Sequence, residues 1–98
     1  MSGSTSARFD PEIHAPVRLR VCGALAEVKS VEFASLRDLL GVADSVLSKH
    51  LARLEAQGYV FIDKQSWGGH LRTWVGLTDQ GRRAFDGHIA ALRQIAGL

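Results

Sequence analysis

The sequence predicts a single α+β domain made of a three-helix core, a β-hairpin and one long final helix. Three patterns carry this prediction. Between residues 44 and 57, leucines recur at steps of four and three residues, and Gly58 follows as a helix stop. A β-prone run then breaks at Gly68-Gly69 and resumes with alternating apolar residues, and apolar residues return at helical spacing after Thr78.

Length and composition are consistent with one domain. The 98 residues are too few for two ordinary domains, and 46% hydrophobic and 22% charged residues are typical of a globular protein. We expect residues 1–8 to form a disordered polar tail and residues 9–98 to form the folded domain. Because neither a signal peptide nor a membrane-spanning apolar run is visible, we expect a cytoplasmic location. The net charge of +2 is compatible with nucleic-acid binding but does not specify it.

The first core helix is predicted from Ala15 to Lys29, with Pro16 in its first turn. Its apolar residues, Cys22 among them, form a broad stripe at helical spacing, and its arginines lie mostly off that stripe. A short β-prone segment, Val31 to Ala34, is predicted to follow.

The second and third core helices are separated by a short turn. Ser35 is the predicted N-cap of the second helix, which ends at Leu40, and Asp38 completes a capping box with it. Gly41 suits the left-handed residue that follows a helix. Asp44 is predicted to cap the third helix, residues 44–57.

The β-hairpin is predicted with Tyr59–Lys64 and Leu71–Leu77 as its strands and Gly68-Gly69 in the loop between them. Thr78 starts the last helix, which runs almost to Leu98. Helix, short strand, helix, turn, helix, hairpin and helix is the order of a winged helix-turn-helix. In that fold two helices hold a third for the major groove, and the hairpin lies beside the duplex.

Several segments resemble known regulators. LRDLLGV at 36–42 followed by SKHLARLEAQGYV at 48–60 resembles the recognition unit of MarR-like and ArsR-like winged-helix regulators. LTDQGR at 77–82 resembles the segment after the wing in the MarR-like group, and RTW at 72–74 resembles its second wing strand. The likeness covers roughly residues 9 to 95 and implies a homodimeric bacterial or archaeal transcriptional regulator.

Candidate DNA-contacting residues occupy the side of the third helix opposite its leucines. Serine hydroxyls can bond base edges or phosphates, a valine can touch a thymine methyl, and a lysine can meet guanine or a phosphate. A merely solvated helix face is the alternative. His50 fits packing against the second helix as well as it fits DNA contact. The candidates on this helix are Ser45, Val46, Ser48, Lys49 and Arg53.

The wing offers a second group of candidates, which could reach the phosphate backbone or the minor groove. They are Lys64, Gln65, His70 and Arg72, and the resemblance implies DNA contact most directly for Arg72. Trp67 departs from the usual polar wing tip and could pack on a partner subunit, a sugar or its own hairpin. Arg18, Arg20 and Arg37 fit phosphate contact and ordinary surface solubility equally well.

The last helix carries an apolar stripe that suits packing against a second copy of the chain. Its candidate dimerisation residues are Phe85, Ile89, Leu92 and Ile95. A two-fold dimer would place its recognition helices about 34 Å apart on a pseudo-palindromic site. The alternative is that this helix folds back on its own subunit.

Other functions find less support in the sequence. The four histidines are scattered and the single Cys22 suits a buried thiol, so no metal or other cofactor is predicted. No phosphate-binding or nucleophile motif is present, so we do not expect an enzyme. A small-molecule effector is compatible with a dimer cleft but has no identified site. The rival function is a winged-helix module for protein association, favoured by Trp67 and the modest charge.

Overall fold

A computed structural model describes residues 6–98 of the chain. Its elements, in order, are α1 (Pro11–His14), α2 (Pro16–Leu25), β1 (Val31–Glu32), α3 (Phe33–Leu40), α4 (Asp44–Ala56), β2 (Val60–Trp67), β3 (His70–Leu77) and α5 (Asp79–Ala96). This order confirms the predicted α+β winged helix-turn-helix, with α4 as the recognition helix and β2–β3 as the wing. None of these helices is both long and apolar enough to cross a membrane.

The three strands form one antiparallel sheet in the order β1-β3-β2. Both strands of the hairpin are longer than predicted, since the pairing of β2 with β3 continues from Val60↔Leu77 to Trp67↔His70. Gly68 and Gly69 have φ values of 56° and 82°. A two-residue turn with positive φ at both positions matches the twist of the strands, so the ladder reaches the tip.

The core lies between the helices and the inner face of the sheet. The three leucines predicted to face it from α4, Leu47, Leu51 and Leu54, are all buried. They belong to one core with buried apolar residues of α1, α2, α3 and both wing strands, against which Ala84 and Phe85 of α5 also pack. The remaining members are Ile13, Val21, Cys22, Leu25, Leu36, Leu40, Val60, Val75 and Leu77. This core fixes which side of α4 remains outside.

Two predicted helix caps are wrong. Helix α3 begins at Phe33 with Glu32 as its N-cap and no side-chain cap, so the capping box of Ser35 and Asp38 does not form. Pairing of Glu32 with Trp74 holds the chain extended up to that point, and the helix starts directly after it. Helix α4 has Ala43 as its N-cap instead of Asp44.

The first core helix is shorter than predicted, since α2 ends at Leu25 and the chain that follows is hydrogen bonded to α5. The Arg82 guanidinium donates to the carbonyl of Ala26 at 3.1 Å and to that of Val28 at 2.8 Å. Those carbonyls therefore accept hydrogen bonds from α5, and not from the backbone amides of a longer α2. The sequence analysis also missed α1, although Asp10 as N-cap and Pro11 at the first helical position are standard start signals.

The predicted carboxyl end of α3 and the predicted start of α5 are confirmed. Gly41 has a φ of 68° directly after α3. The Thr78 side chain accepts a hydrogen bond from the Gly81 amide at the start of α5. Residues 1–5 of the predicted tail lie outside the described residues, whereas the Arg8 amide donates to the Gly87 carbonyl at 2.9 Å.

Candidate nucleic-acid interface

The outward side of α4 presents the residues that the leucine spacing predicts there. Ser45, Ser48 and Lys49 are exposed, and Val46 is 38% exposed. This side alternates small hydroxyls with one apolar side chain and one cation. Such a surface can approach base edges closely because it carries little bulk.

A groove of about 340 Å³ separates α4 from the wing. Ser48 of α4 lines it from one side, and Lys64 and Thr73 line it from the wing. Phe33, Leu51 and Ile62 supply the apolar part of the lining. The sequence analysis missed Thr73, although its register opposite Lys64 places the two side chains on one face of the hairpin.

The predicted wing residues divide between the two faces of the hairpin. Lys64 faces the groove beside α4. The next pair along the ladder, Gln65 and Arg72, points to the opposite side of the hairpin, its outer face, because successive side chains of a strand alternate between faces. His70 also lies on the outer face, because its partner Trp67 is two residues from Gln65. The fold therefore brings Lys64 next to α4 and leaves the other three candidates on the opposite face.

On the outer face of the wing, a small pocket of about 220 Å³ is bounded by Gln65, Trp67, Arg72 and Trp74. The Gln65 amide donates to Asp63 at 2.8 Å, and the Arg72 Nε lies 3.8 Å from Glu32 Oε2. Trp67 is 78% exposed, which argues against packing on its own hairpin. Arg72 is thus loosely paired and can exchange its carboxylate for a phosphate.

Arg53 of α4 forms an ion pair with Glu12 of α1. Its Nε donates to Glu12 Oε1 at 2.7 Å and its Nη2 donates to Glu12 Oε2 at 3.2 Å. This two-point hydrogen bond lowers the pKa of the Glu12 carboxyl and raises that of the guanidinium. A phosphate would have to compete with Glu12 to reach Arg53.

Arg37 joins the two helices of the helix-turn-helix. Its guanidinium donates to Asp44 Oδ1 at 2.9 Å and to Asp38 Oδ1 at 3.0 Å, and these contacts raise its pKa. Asp44 is therefore neutralised by a neighbour instead of capping α4. The ion pair offsets a carboxylate that would otherwise repel a phosphate near the start of the recognition helix.

Arg18 is not a surface residue, contrary to the prediction, since only 8% of it is exposed. Its Nε donates to the Glu12 carbonyl and its Nη1 lies 3.1 Å from His50 Nδ1. Burial, followed by the charge of Arg18, lowers the pKa of His50. His50 therefore contacts the first core helix, α2, and its Nδ1 is occupied by a protein partner.

Formal charge is nearly balanced over this surface. Within α4, Lys49 and Arg53 are matched by Asp44 and Glu55, and the hairpin adds Lys64 and Arg72 against Asp63. On α4 and the hairpin, the exposed cations without a close carboxylate partner among the described residues are Lys49 and Lys64. Attraction to a polyanion is thus concentrated at a few positions.

The candidate dimerisation residues are unequally exposed. Phe85 is half-buried against the core of its own subunit, which follows the fold-back alternative at that position. Ile89 and Leu92 are half-buried, and Ile95 is 71% exposed. Free apolar surface on α5 is therefore concentrated near its carboxyl end, where the exposed Leu98 also lies.

The histidines and the cysteine have distinct surroundings. His14 and His88, 74 residues apart in the sequence, approach to 3.2 Å, so the histidines are less scattered in space than their spacing suggests. Residues 6–98 contain no group of three or more side chains suited to holding a metal. Burial raises the pKa of Cys22 to about 12, which keeps it as a neutral thiol.

Comparison with known proteins agrees with this geometry. Residues 17–96 match the model of a family described as winged helix DNA-binding domain. The uncharacterized protein MJ0432 of Methanocaldococcus jannaschii is 31% identical over 80 residues, which span 82% of this chain and 87% of that protein.

Solved structures share the fold. A transcriptional regulator homologue from Pyrococcus horikoshii OT3 superposes with a TM-score of 0.83 and 24% identity, over 88% of this chain and 85% of that one. The PcaV transcriptional regulator of Streptomyces coelicolor, solved with its natural ligand, gives a TM-score of 0.71 and 23% identity, over 92% of this chain and 66% of PcaV.

Proposed function

Because the chain belongs to the winged helix DNA-binding domain family, we propose that it is a sequence-specific transcriptional regulator that binds double-stranded DNA as a homodimer. The single observation that carries this proposal is the outward side of α4. There, Ser45, Ser48 and Lys49 are exposed directly opposite the buried leucines. A bacterial or archaeal origin and a cytoplasmic location go with this function.

In the proposed complex, α4 enters the major groove. Lys49 reaches a guanine edge or a phosphate, the serine hydroxyls bond base edges, and Val46 touches a thymine methyl. Arg53 joins only after exchanging Glu12 for a phosphate, since the two side chains are hydrogen bonded.

The groove between α4 and the wing suits one sugar-phosphate unit of the DNA strand beside the major groove. Ser48, Lys64 and Thr73 supply two hydroxyls and one ammonium for the phosphate. The apolar lining supplies a surface for the deoxyribose. On the outer face of the wing, Arg72, Gln65 and His70 would address the next stretch of backbone or the minor groove.

The homodimer is proposed to form through α5. The exposed apolar side chains near its carboxyl end, with half-buried Ile89 and Leu92, supply a stripe that a second copy can cover. Phe85 would support this stripe without forming its centre, because its side chain already packs against the core of its own subunit. Such a dimer would read half-sites about 34 Å apart.

A protein-association module is the second candidate, and one observation favours it. Trp67 is 78% exposed and Leu71 is 68% exposed, so the wing tip carries two large apolar side chains. Exposed tryptophan is enriched at protein interfaces. On this alternative, substitutions of wing cations would leave partner binding unchanged.

The test is selection of bound genomic fragments followed by titration of variants on the selected duplex. Lys49→Ala and Arg72→Ala should each weaken binding by about 1–3 kcal/mol without lowering the melting temperature. Arg93→Ala, which removes the same charge from α5, is the matched control. If the wild-type chain and all three variants bind the selected duplex and a scrambled duplex with the same affinity, sequence-specific DNA binding is rejected.

A further inference from the structure

The segment from Arg8 to His14 is attached to α5 by a pair of histidines. His88 is fully buried on α5, and its Nδ1 accepts a hydrogen bond from the Asp10 amide at 2.9 Å. Its Nε2 lies 3.2 Å from His14 Nδ1. The Phe9 ring packs on both imidazoles, with centroid distances of 4.8 Å to His14 and 4.9 Å to His88. Both nitrogens of the buried ring are therefore used by this one segment.

The hydrogen bonds fix where the protons are. A nitrogen that accepts from an amide carries no proton, so neutral His88 holds its proton on Nε2 and donates it to His14 Nδ1. A proton added to His88 would lie on Nδ1, against the Asp10 N–H. This protonation replaces a hydrogen bond with two opposed donors.

We propose that His14 and His88 form a proton-operated clasp, which holds the segment Arg8–His14 on α5 when His88 is neutral and releases it when His88 is protonated. The released segment includes α1 with its fully buried Ile13, whereas the other core members lie on α2, α3, α4 and the wing. The clasp is independent of whether the protein binds DNA.

Other charged groups near the clasp do not replace its hydrogen bonds. The Asp10 carboxylate is the closest anion, but it accepts from the Tyr59 hydroxyl at 2.6 Å and from the Glu12 amide at 2.9 Å. Glu12 is held by Arg53, and Arg18 donates to the Glu12 carbonyl. Burial first, and then the charge of His14, lowers the pKa of His88, while Asp10 opposes this.

Release would be transmitted to the recognition helix. Glu12 of α1 holds Arg53 of α4, and Asp10 holds Tyr59, which follows α4 directly. When the segment leaves, Arg53 loses its carboxylate and becomes available to another anion. If the chain binds DNA as proposed, the freed Arg53 should make its association with DNA tighter or more salt-dependent below neutral pH.

The pH dependence has a definite sign. The pKa of folded His88 lies below the ordinary histidine value of 6.5, so the released form binds more protons. Attachment of the segment is therefore fully present above pH 6.5 and weakens as the pH falls below it. Over the pH range in which the released form binds one proton more than the attached form, the ratio of released to attached protein rises about tenfold for each pH unit of acidification.

Two-dimensional NMR of the whole chain from pH 8 to pH 5 tests the clasp without DNA. The amides of residues 8–14 should change together, and hydrogen-exchange protection of the Asp10 amide, corrected for intrinsic rates, should stay constant above pH 6.5 and fall below it, by at most about tenfold per pH unit. The Trp67 and Trp74 indole signals should stay native. Unchanged protection at pH 5, or loss of the indole signals in the same step, would overturn the clasp.

Variants separate the clasp from a general acid effect. His88→Gln keeps one acceptor and one donor without titrating, so the acid-induced change should disappear. His14→Gln keeps an acceptor for His88 Nε2 and leaves His88 able to be protonated, so its acid-induced change should remain. His70→Gln, a histidine on the wing, is the matched control and should keep the wild-type profile. An acid-induced change that survives in His88→Gln would overturn the proposal.

Discussion

Single residues show where the chain makes contacts that spacing cannot predict. The position of Arg53 on the outer part of α4 follows from helical periodicity, but its partner Glu12 lies 41 residues earlier. Arg18 and His50, 32 residues apart, meet in the same way, and burial follows for a side chain expected at the surface. Periodicity predicts which face a residue occupies, whereas long-range pairing depends on how the helices cross.

Cys22 provides a prediction at this scale. It is fully buried on α2, and burial raises its pKa to about 12, so almost no thiolate exists at neutral pH. We expect native protein to resist alkylation by iodoacetamide at pH 7.5 and to react fully in urea, as measured by mass spectrometry. Rapid modification of the native chain would instead support redox or ligand chemistry at this thiol.

At the scale of the elements, the segment LTDQGR at residues 77–82 joins α5 to the ends of α4 and α2. Thr78 accepts from the Gly81 amide at 2.9 Å and donates to the Gly58 carbonyl at 2.6 Å, so it joins the start of α5 to the end of α4. A Cβ at Gly81 would lie 2.0 Å from the Tyr59 carbonyl oxygen, which excludes any larger residue. Arg82 then ties α5 to the end of α2.

Thr78 is the position at which this junction can be tested. Thr78→Val removes the cap of α5 and leaves the Gly58 carbonyl without its donor, and the expected loss is about 1–3 kcal/mol in the free energy of unfolding. Thr78→Ser keeps the hydroxyl and should lose much less. Urea unfolding followed by circular dichroism measures both. Equal losses in the two variants would assign the effect to the methyl group instead of the hydrogen bonds.

The strongest periodic elements were predicted well and the caps less well. Helices α4 and α5 and the hairpin follow from patterns that are local in sequence. Ser35 and Asp44 look like caps, yet strand pairing of Glu32 and the ion pair of Arg37 with Asp44 decide where α3 begins and how Asp44 is used. On the site, exposure of α4 was predictable, but the two-faced wing and the groove residue Thr73 required the strand register.

The whole molecule leaves apolar surface on α5 that a second copy would cover. Sedimentation equilibrium should give a dimer at micromolar concentration, and Ile95→Glu should shift it to monomer because a buried carboxylate has no partner there. Gln94→Glu places the same charge at the neighbouring exposed position and should remain dimeric. A monomeric wild-type chain would restrict DNA reading to a single half-site.

Charge at the scale of the whole molecule sets how DNA binding should respond to salt. The net charge is only +2, so affinity must come from a few placed cations instead of a broad positive field. A dimer that contacts about six to ten phosphates should lose roughly a thousandfold or more in affinity between 50 and 200 mM salt.

The most direct test is a fluorescence titration of the selected duplex and a scrambled duplex at several salt concentrations, with Trp67 and Trp74 as the reporters on the wing. We expect steep salt dependence on both duplexes and much tighter binding to the selected one. An affinity that is independent of both salt and sequence would contradict the placement of α4 in the major groove.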